Sequence, residues 1–282
     1  MIGYNLCTAS AVSFKPKKWD KAANAERMEA LFVAAAQGKP DVILLTEGAL
    51  EGYVVADVYE GRRPAADLHA IAEPIDGPYI QRFQRLARQL RTCLCFGFAE
   101  RIGDEVYNAA IFLDTHGDIC GKYHKVQLAE GTHESWRYNR VGRQIRAFDT
   151  PLGRAGIVIC NDRWNPLIVR TLVLDGARVL FIPSYGSRNK AQNVTVLARA
   201  RENGVPIVEA NVGMNLIVSQ GEIVAYKWGN DQITTAEIAI PLPPSPEAAR
   251  QAEAAYLAEQ GPEMARRYQQ TVTNVVKETE YP

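Results

Sequence analysis

The sequence predicts an α/β fold in which two similar halves form a four-layer α-β-β-α sandwich. Short apolar runs alternate with helical patterns through most of the chain, which is typical of α/β proteins. The order of these elements also repeats. Strand, helix, strand, helix, strand and hairpin follow one another from residue 2, and the same order begins again at residue 156. Two βαβαββ halves that each have one bare sheet face can bury those faces against each other.

Eleven segments have the length and apolar content of strands. In chain order they are IGYNLCTA, DVILLTE, TCLCFGFAE, VYNAAIFLD, ICGKYHK, GIVIC, RVLFIPS, VPIVEA, NLIVS, EIVAYK and TTAEIAI. The halves also resemble each other locally, since LARQLRTCLCFGFAE is similar to LARARENGVPIVEAN. Both predicted hairpins, NAAIFLDTHGDICGKYHK and NLIVSQGEIVAYK, have glycine at the turn.

Two helices between the strands of the first half have narrow apolar stripes, so each should cover one face of a sheet. The first begins after Asp20, a suitable N-cap. Its apolar stripe consists of Met28, Leu31, Phe32 and Ala35. The stripe of the second helix consists of Ile80, Phe83, Leu86, Ala87 and Leu90.

The composition changes at Pro241. The segment PLPPSP predicts a stiff link, and Ser245 followed by Pro246 predicts the start of a helix that ends at the Gly-Pro pair at 261 and 262. We therefore assign residues 1–240 to one domain and residues 241–282 to a helical tail that packs on the body or on a partner subunit.

Bulk composition excludes several classes of partner. The chain has 32 basic and 32 acidic residues, so no overall field favours nucleic acid or an anionic membrane, and a small neutral or zwitterionic partner fits better. No apolar run approaches the roughly 20 residues of a membrane span. The chain start lacks the pattern of a signal peptide, and five irregularly spaced cysteines indicate reduced thiols. Together these features predict a cytoplasmic protein.

Three reactive side chains stand at or near strand ends, where α/β sheets collect their functional groups. Glu47 closes DVILLTE, Lys125 closes ICGKYHK, and Cys160 closes GIVIC. Each alone is ordinary, but the set supplies a base for a thiol, a nucleophile, and a cation for the thiolate and a later oxyanion. Because Pro166 suits the first turn of a helix, the backbone amide of Asn161 would point at the same oxyanion.

Three motifs carry a family resemblance. TEGALEGY, KYHK and GIVICNDRWNP, in that order, resemble the three signatures of the nitrilase superfamily of carbon-nitrogen hydrolases, and the similarity extends from Ile2 to Ile240. The resemblance implies that Glu47, Lys125 and Cys160 are the Glu-Lys-Cys triad of a four-layer sandwich that needs no cofactor. It also implies a homodimer or larger homo-oligomer, formed through the helix after Pro166 and the tail.

The family also places a second glutamate between the lysine and the cysteine. Glu134, in THESWRY, is the best match, because this stretch resembles one in amidohydrolases of N-carbamoyl compounds. Glu130 is the competitor, and both are surface charges in the alternative interpretation.

The residues after the cysteine bear on the substrate. True nitrilases typically have Cys-Trp-Glu, whereas Cys160 is followed by Asn-Asp-Arg, as in D-amino-acid carbamoylases. By that resemblance Arg163 binds a substrate carboxylate; in the simpler interpretation it pairs with Asp162 or Glu134 as scaffold.

Two tyrosines, Tyr53 and Tyr185, follow strands and line the pocket or pack beneath loops. The four histidines form no metal-ligand spacing such as HExxH, so we expect no metal site. The sequence thus predicts a cysteine-dependent hydrolase that cleaves a small amide or N-carbamoyl compound through a thioester and releases ammonia. The alternatives are a non-catalytic binding or scaffold protein of the same fold, and a nitrilase acting on a nitrile.

Overall fold

The structure, a computed structural model, describes residues 3–129, 137–186 and 190–279. Its strands are β1 (Tyr4–Val12), β2 (Val42–Leu44), β3 (Cys93–Ile102), β4 (Glu105–Leu113), β5 (Ile119–His124), β6 (Asn139–Arg140), β7 (Phe148–Thr150), β8 (Gly153–Ile157), β9 (Val179–Ser184), β10 (Ile207–Asn211), β11 (Met214–Ser219), β12 (Glu222–Trp228) and β13 (Ile233–Pro241). Its α-helices are α1 (Lys21–Ala36), α2 (Val55–Tyr59), α3 (Ala65–Ile71), α4 (Pro78–Leu90), α5 (Pro166–Leu174), α6 (Lys190–Asn203) and α7 (Pro246–Thr279). The chain divides into two compact units, one of which is Asn5–Ile240.

Two sheets of the same internal order form the main unit. In the first, β1, β2 and β3 are parallel and β3, β4 and β5 antiparallel, with β13 beside β1 and β6 beside β4. In the second, β8, β9 and β10 are parallel and β10, β11 and β12 antiparallel, with β7 beside β8. The predicted α/β duplication is therefore confirmed.

Three apolar clusters separate four layers. In the first, α1 and α4 pack on one sheet. The ring centroid of Phe32 lies 5.9 Å from that of Phe83 and 6.2 Å from that of Phe96. In the second, the two sheets pack on each other, with the Phe112 and Phe181 centroids 5.3 Å apart. In the third, α5 and α6 cover the outer face of the other sheet. Side chains alternate between these clusters along the central strands: in β3, Cys93 and Cys95 lie between the sheets, whereas Leu94 and Phe96 face the helices.

The predicted helix α1 begins where its capping residue indicates. The Asp20 carboxylate accepts a hydrogen bond from the Ala23 amide at 3.1 Å, which satisfies one of the free donors of the first turn. The predicted stripes of α1 and α4 are buried, except that Leu90 is only partly so.

The short elements α2, α3, β6 and β7 were not predicted, because two to seven residues are too few to display a clear period. The predicted break at Gly261 and Pro262 is wrong, since α7 continues through both. A proline removes only one backbone donor, and the alanine, glutamate, methionine and arginine residues around it are strong helix formers.

The second compact unit consists of the first residues of the chain and the segment from Pro241 onward, which includes α7. Ser245 caps this helix, accepting a hydrogen bond from the Ala248 amide at 3.0 Å. None of the helices in the described ranges combines the length and the apolar content that crossing a bilayer demands.

Candidate active site

Cys160 stands at a sharp turn three residues beyond β8, at the start of a short 3-10 helix, Cys160–Trp164. Its φ of 46° lies in the left-handed region, which costs a non-glycine residue on the order of 1 kcal/mol. The buried Asp162 carboxylate holds this turn. It accepts hydrogen bonds from the Ile159 amide at 2.8 Å, the Gln127 amide at 2.8 Å and the Tyr123 hydroxyl at 2.9 Å. Asp162, two residues further along the chain, therefore holds Cys160 in its strained backbone conformation.

Glu47 and Lys125 form a buried ion pair, with 2.8 Å between Lys125 Nζ and Glu47 Oε1. The same oxygen accepts a hydrogen bond from Asn108 Nδ2 at 2.6 Å, and Oε2 accepts one from the Tyr185 amide at 2.8 Å. Burial alone would lower the pKa of Lys125, but the charge of Glu47, with that of Cys160, raises it above its ordinary value. The pair is thus a carboxylate with three donors beside a permanently charged ammonium.

The Cys160 thiol lies among charged groups. Its Sγ accepts a hydrogen bond from Arg163 Nη2 at 3.3 Å and lies 3.9 Å from the Tyr185 carbonyl oxygen. Burial raises the pKa of this thiol, as does the charge of Glu47, while Lys125 and Arg163 oppose the rise. Because the net direction is upward, the resting sulfur carries a proton that a base must remove before it can act as a nucleophile.

A cavity of about 370 Å³ opens onto these groups. A pocket of this size suits a small organic molecule. The rings of Tyr53 and Tyr185 stack at its wall, with centroids 4.8 Å apart. Its described lining consists of Lys18, Tyr53, Ala56, Tyr59, Lys125, Ala129, Cys160, Asn161, Arg163, Trp164, Tyr185, Gly186 and Gln192.

The structure brings together most of the residues singled out from sequence. Cys160, Lys125, Asn161, Tyr53 and Tyr185 line the cavity, and Glu47 lies buried against Lys125. The Asn161 side chain donates a hydrogen bond to the Leu128 carbonyl at 3.0 Å, which ties the 3-10 helix to the chain after β5. Glu134 and Glu130 lie outside the described residues.

Arg163 has a partner that was not predicted. It forms a fully buried ion pair with Glu209 of β10, and not with Asp162, which was one of the two partners named in the scaffold interpretation. Asp162 already accepts three hydrogen bonds at the turn, whereas Glu209 would otherwise be a buried carboxylate without a cation. The one signal for Glu209 in the sequence is an acidic residue in the apolar strand VPIVEA.

Two further polar residues near Glu47 were missed. Asn108 is the donor at 2.6 Å described above, and its only signal is a polar residue in the apolar run YNAAIFLD. Glu51 is 4% exposed and accepts a hydrogen bond from the Ala99 amide at 2.9 Å. Burial raises the pKa of Glu51 to about 7. Across the described ranges, no three histidine, cysteine or acidic side chains converge as metal ligands do.

Comparison with known proteins places this geometry in a family. The profile of the carbon-nitrogen hydrolase family matches residues 8–242. The N-carbamoylputrescine amidase of Solanum lycopersicum is 30% identical over 243 residues, which cover 81% of this chain and 76% of that protein. The citrullinase of Francisella tularensis is 26% identical over 228 residues, covering 76% and 77% respectively.

A solved structure shares the fold. A Saccharomyces cerevisiae protein of branch 10 of the nitrilase superfamily superposes with a TM-score of 0.72 at 21% identity, covering 88% of this chain and 94% of that one. The family profile and the relatives, together with the duplicated sandwich, lead to one conclusion: the chain belongs to the carbon-nitrogen hydrolase family, as its three motifs predicted.

Proposed function

We propose that this protein hydrolyses a small amide or an N-carbamoyl compound, with Cys160 as the nucleophile and ammonia as a product. The observation that carries the proposal is the buried Glu47–Lys125 pair, with its 2.8 Å contact, beside a cavity that exposes the Cys160 turn. A base, a cation and a thiol in one partly dry pocket are the groups that acyl transfer to sulfur requires.

In the first half-reaction, Glu47 takes the proton of the Cys160 thiol, and the thiolate attacks the carbonyl carbon of the substrate. Lys125 and the backbone amide of Asn161 stabilise the oxyanion. The carbon–nitrogen bond then breaks, and protonated Glu47 returns the proton to the departing ammonia. A thioester on Cys160 remains.

In the second half-reaction, Glu47 removes a proton from water, and the resulting hydroxide attacks the thioester carbonyl. The carbon–sulfur bond breaks, the thiolate regains a proton from Glu47, and the acid leaves. The carboxylate is thus used twice, and no redox or group-transfer cofactor enters the scheme.

Two observations support amides and carbamoyl compounds over nitriles. The N-carbamoylputrescine amidase of Solanum lycopersicum is 30% identical to this chain, compared with 26% for a bifunctional nitrilase/nitrile hydratase of Nicotiana tabacum. Cys160 is also followed by Asn-Asp rather than by the Trp-Glu that nitrilases typically have. We further propose that the stacked pair Tyr53 and Tyr185 contacts the substrate, because both rings line the cavity.

Ammonia release from carbamoyl compounds, small amides and nitriles tests the proposal, with wild-type protein and Cys160→Ala in parallel. We expect turnover on at least one carbonyl substrate that Cys160→Ala abolishes. Turnover that survives in Cys160→Ala contradicts the mechanism. Turnover on nitriles alone favours the nitrilase, and none on any substrate favours the scaffold protein.

Thiol reactivity gives an independent check. A haloacetamide should modify Cys160 faster than Cys7, Cys93, Cys95 or Cys120. Burial raises the pKa of Cys7 and of Cys93 to about 12 and that of Cys120 to about 11, and the described charges that act most strongly on these thiols are negative, whereas Lys125 lies beside Cys160. Equal labelling of all five in the folded protein contradicts the proposed environment.

The second glutamate is also a proposal. We assign this role to Glu134, whose carboxylate would contact Lys125 and the reacting group. Glu134→Gln should then reduce kcat/KM by about 100-fold, the scale of lost acid–base or electrostatic assistance. Glu130→Gln is the matched control, and the reverse ranking of the two variants would transfer the role to Glu130.

We propose that the protein is a homodimer or larger assembly, with α5 at the contact. Leu167 and Leu174 of this helix are 71% and 74% exposed, and such side chains are more readily explained in an interface. Sedimentation of wild type and of Leu167→Glu would test this, since the charge should dissociate the assembly. Five free cysteines also fit a reducing compartment, for which we propose the cytoplasm.

A further inference from the structure

We propose that Arg163, held by Glu209, is a second cation for the Cys160 thiolate and not an anchor for a substrate carboxylate. The inference rests on the proposed function, in which Cys160 is the nucleophile. It concerns a group that the Glu-Lys-Cys scheme does not use.

The local backbone explains how Arg163 reaches the sulfur. Residues 160 to 164 form a 3-10 helix, in which side chains three residues apart lie on the same side. Arg163 therefore returns to Cys160, with 3.3 Å between Nη2 and Sγ. A guanidinium can only donate hydrogen bonds, so the sulfur must accept, and an ionised sulfur accepts far better than a thiol.

The surroundings fix the guanidinium in this position. Arg163 and Glu209 are both fully buried, and Nη1 binds Glu209 Oε1 while Nη2 faces the sulfur. The Arg163 carbonyl oxygen accepts a hydrogen bond from Arg199 Nε at 2.9 Å. Arg163 lines the cavity, but both of its terminal nitrogens are engaged, so a substrate carboxylate would have to compete with Glu209 or Cys160 for them.

The ion pair does not have the closed geometry of a purely structural one. An arginine and a carboxylate commonly join through two parallel hydrogen bonds. In this protein the fork is divided between Glu209 and Cys160. Among the described residues, neither Arg163 Nε nor Glu209 Oε2 has a hydrogen-bond partner. One donor that could have closed the pair serves the sulfur.

The charges around the sulfur favour its ionised form. When Glu47 takes the thiol proton it becomes neutral, which leaves the ammonium of Lys125 facing the new thiolate. Arg163 presents its positive end to the same atom, and its counter-ion Glu209 binds the other terminal nitrogen. In a buried site a full opposite charge at this distance shifts a pKa by about 1 to 3 units.

A consequence concerns the substrate. Because Glu209 already neutralises Arg163, a substrate carboxylate would have to displace a buried carboxylate to bind there. Substrates with and without a carboxylate beside the carbamoyl nitrogen should therefore depend on Arg163 to the same degree.

The test measures the pH dependence of iodoacetamide modification of Cys160, followed by mass spectrometry of its peptide, without any substrate. In the double variant Arg163→Gln/Glu209→Gln, which keeps hydrogen-bonding groups at both positions, the midpoint should rise by about one unit. The rate at pH 7 should fall about tenfold. In Glu209→Gln alone, an unneutralised Arg163 should lower the midpoint and raise the rate below it.

If the Arg163–Glu209 pair were merely structural, its loss would lower the unfolding midpoint in urea without moving the pH profile of Cys160 modification. Opposite shifts of that profile in the two variants therefore exclude a purely structural role. Glu73→Gln is the matched control, because Glu73 is a buried carboxylate that pairs with the partly exposed Lys21 and does not line the cavity. It should leave the profile unchanged. Identical profiles in wild type and the double variant overturn the inference.

Hydrolysis assays separate this inference from the proposed function. If Arg163 serves the sulfur, the double variant loses kcat/KM equally on an N-carbamoyl amine and an N-carbamoyl amino acid. A rise in KM confined to the amino acid makes Arg163 the anchor and overturns the inference. If wild type hydrolyses nothing while the thiol profiles shift as expected, the proposed function fails and the inference about the thiol stands.

Discussion

A single methyl group at Gly97 should displace the proposed general base. Gly97 lies on β3 directly beside the chain that carries Glu47, and its amide donates a hydrogen bond to the Thr46 carbonyl at 3.1 Å. A Cβ at position 97 would stand 2.7 Å from Glu47 Cα, 3.0 Å from the Gly48 nitrogen and 3.1 Å from the Thr46 oxygen. All three atoms belong to the backbone, so no side-chain rotation relieves the contact.

The expected size of the effect follows from these distances. Carbon atoms in contact prefer a separation of about 3.5 to 4.0 Å, so the backbone at Glu47 must move by about 1 Å. The carboxylate is held at 2.8 Å from Lys125 and 2.6 Å from Asn108, and it cannot follow without breaking those contacts. A misplacement of about 1 Å costs about 100-fold in rate, or about 3 kcal/mol of barrier. Overpacking should also lower stability by about 1 to 3 kcal/mol.

Ammonia release by Gly97→Ala measures the first effect and urea unfolding the second. The matched control is Gly38→Ala, because a Cβ there meets only the Ala35 oxygen at an ordinary 3.5 Å. The control should keep wild-type activity. A folded Gly97→Ala protein with kcat/KM within threefold of wild type would refute the reasoning.

Three other substitutions have definite expected results. Glu51→Gln should raise the unfolding free energy at pH 8 by up to about 3 kcal/mol and leave it unchanged at pH 4. Burial raises the folded-state pKa of Glu51 from 4.5 to about 7, so wild-type stability is lost as the pH rises through that interval. Asp57→Asn should show the opposite trend. Partial burial alone would raise the pKa of Asp57, but hydrogen bonds from cations including Lys18 hold it below its ordinary value. The Asp57→Asn protein should be less stable than wild type at pH 7, and this difference in unfolding free energy should shrink below about pH 4. Urea unfolding at these pH values measures the effects of both Glu51→Gln and Asp57→Asn. Asn108→Ala should lower kcat/KM, because Glu47 loses the donor at 2.6 Å that helps to hold its carboxylate beside Lys125; ammonia release measures the loss.

Local patterns were sufficient for most of the fold. The capping carboxylate of Asp20 and the spacing of Met28 and Phe32 act within one or two helical turns, so they can be read without knowing what the helix packs against. The same holds for the strands, whose repetition in order predicted the two sheets. The helix through Pro262 was mispredicted because a local breaking signal competes with helix formers on both sides.

The three residues of the proposed triad could be found from sequence because each follows a strand, and strand ends converge at one edge. The residues that surround the triad could not be found from sequence. Arg163 and Glu209 are 46 positions apart and on different elements, and no pattern along the chain indicates that they meet. The same is true of Asn108 and Glu47, which are 61 positions apart.

The sequence by itself determined the α/β class, the duplicated sandwich and the identity of three strand-end reactive residues, since periodicity and strand-end position are properties of neighbours in the chain. Only the tertiary structure decided which charges surround the sulfur. Arg163 and Cys160 are three residues apart in the chain. The charge of Arg163, however, is balanced by Glu209 of β10, which lies beside it only in the folded second sheet. Burial, which raises the pKa of Cys160 and of Glu51, is likewise a property of the packed layers and not of any segment, as is the nearby charge of Glu47 that raises the pKa of Lys125.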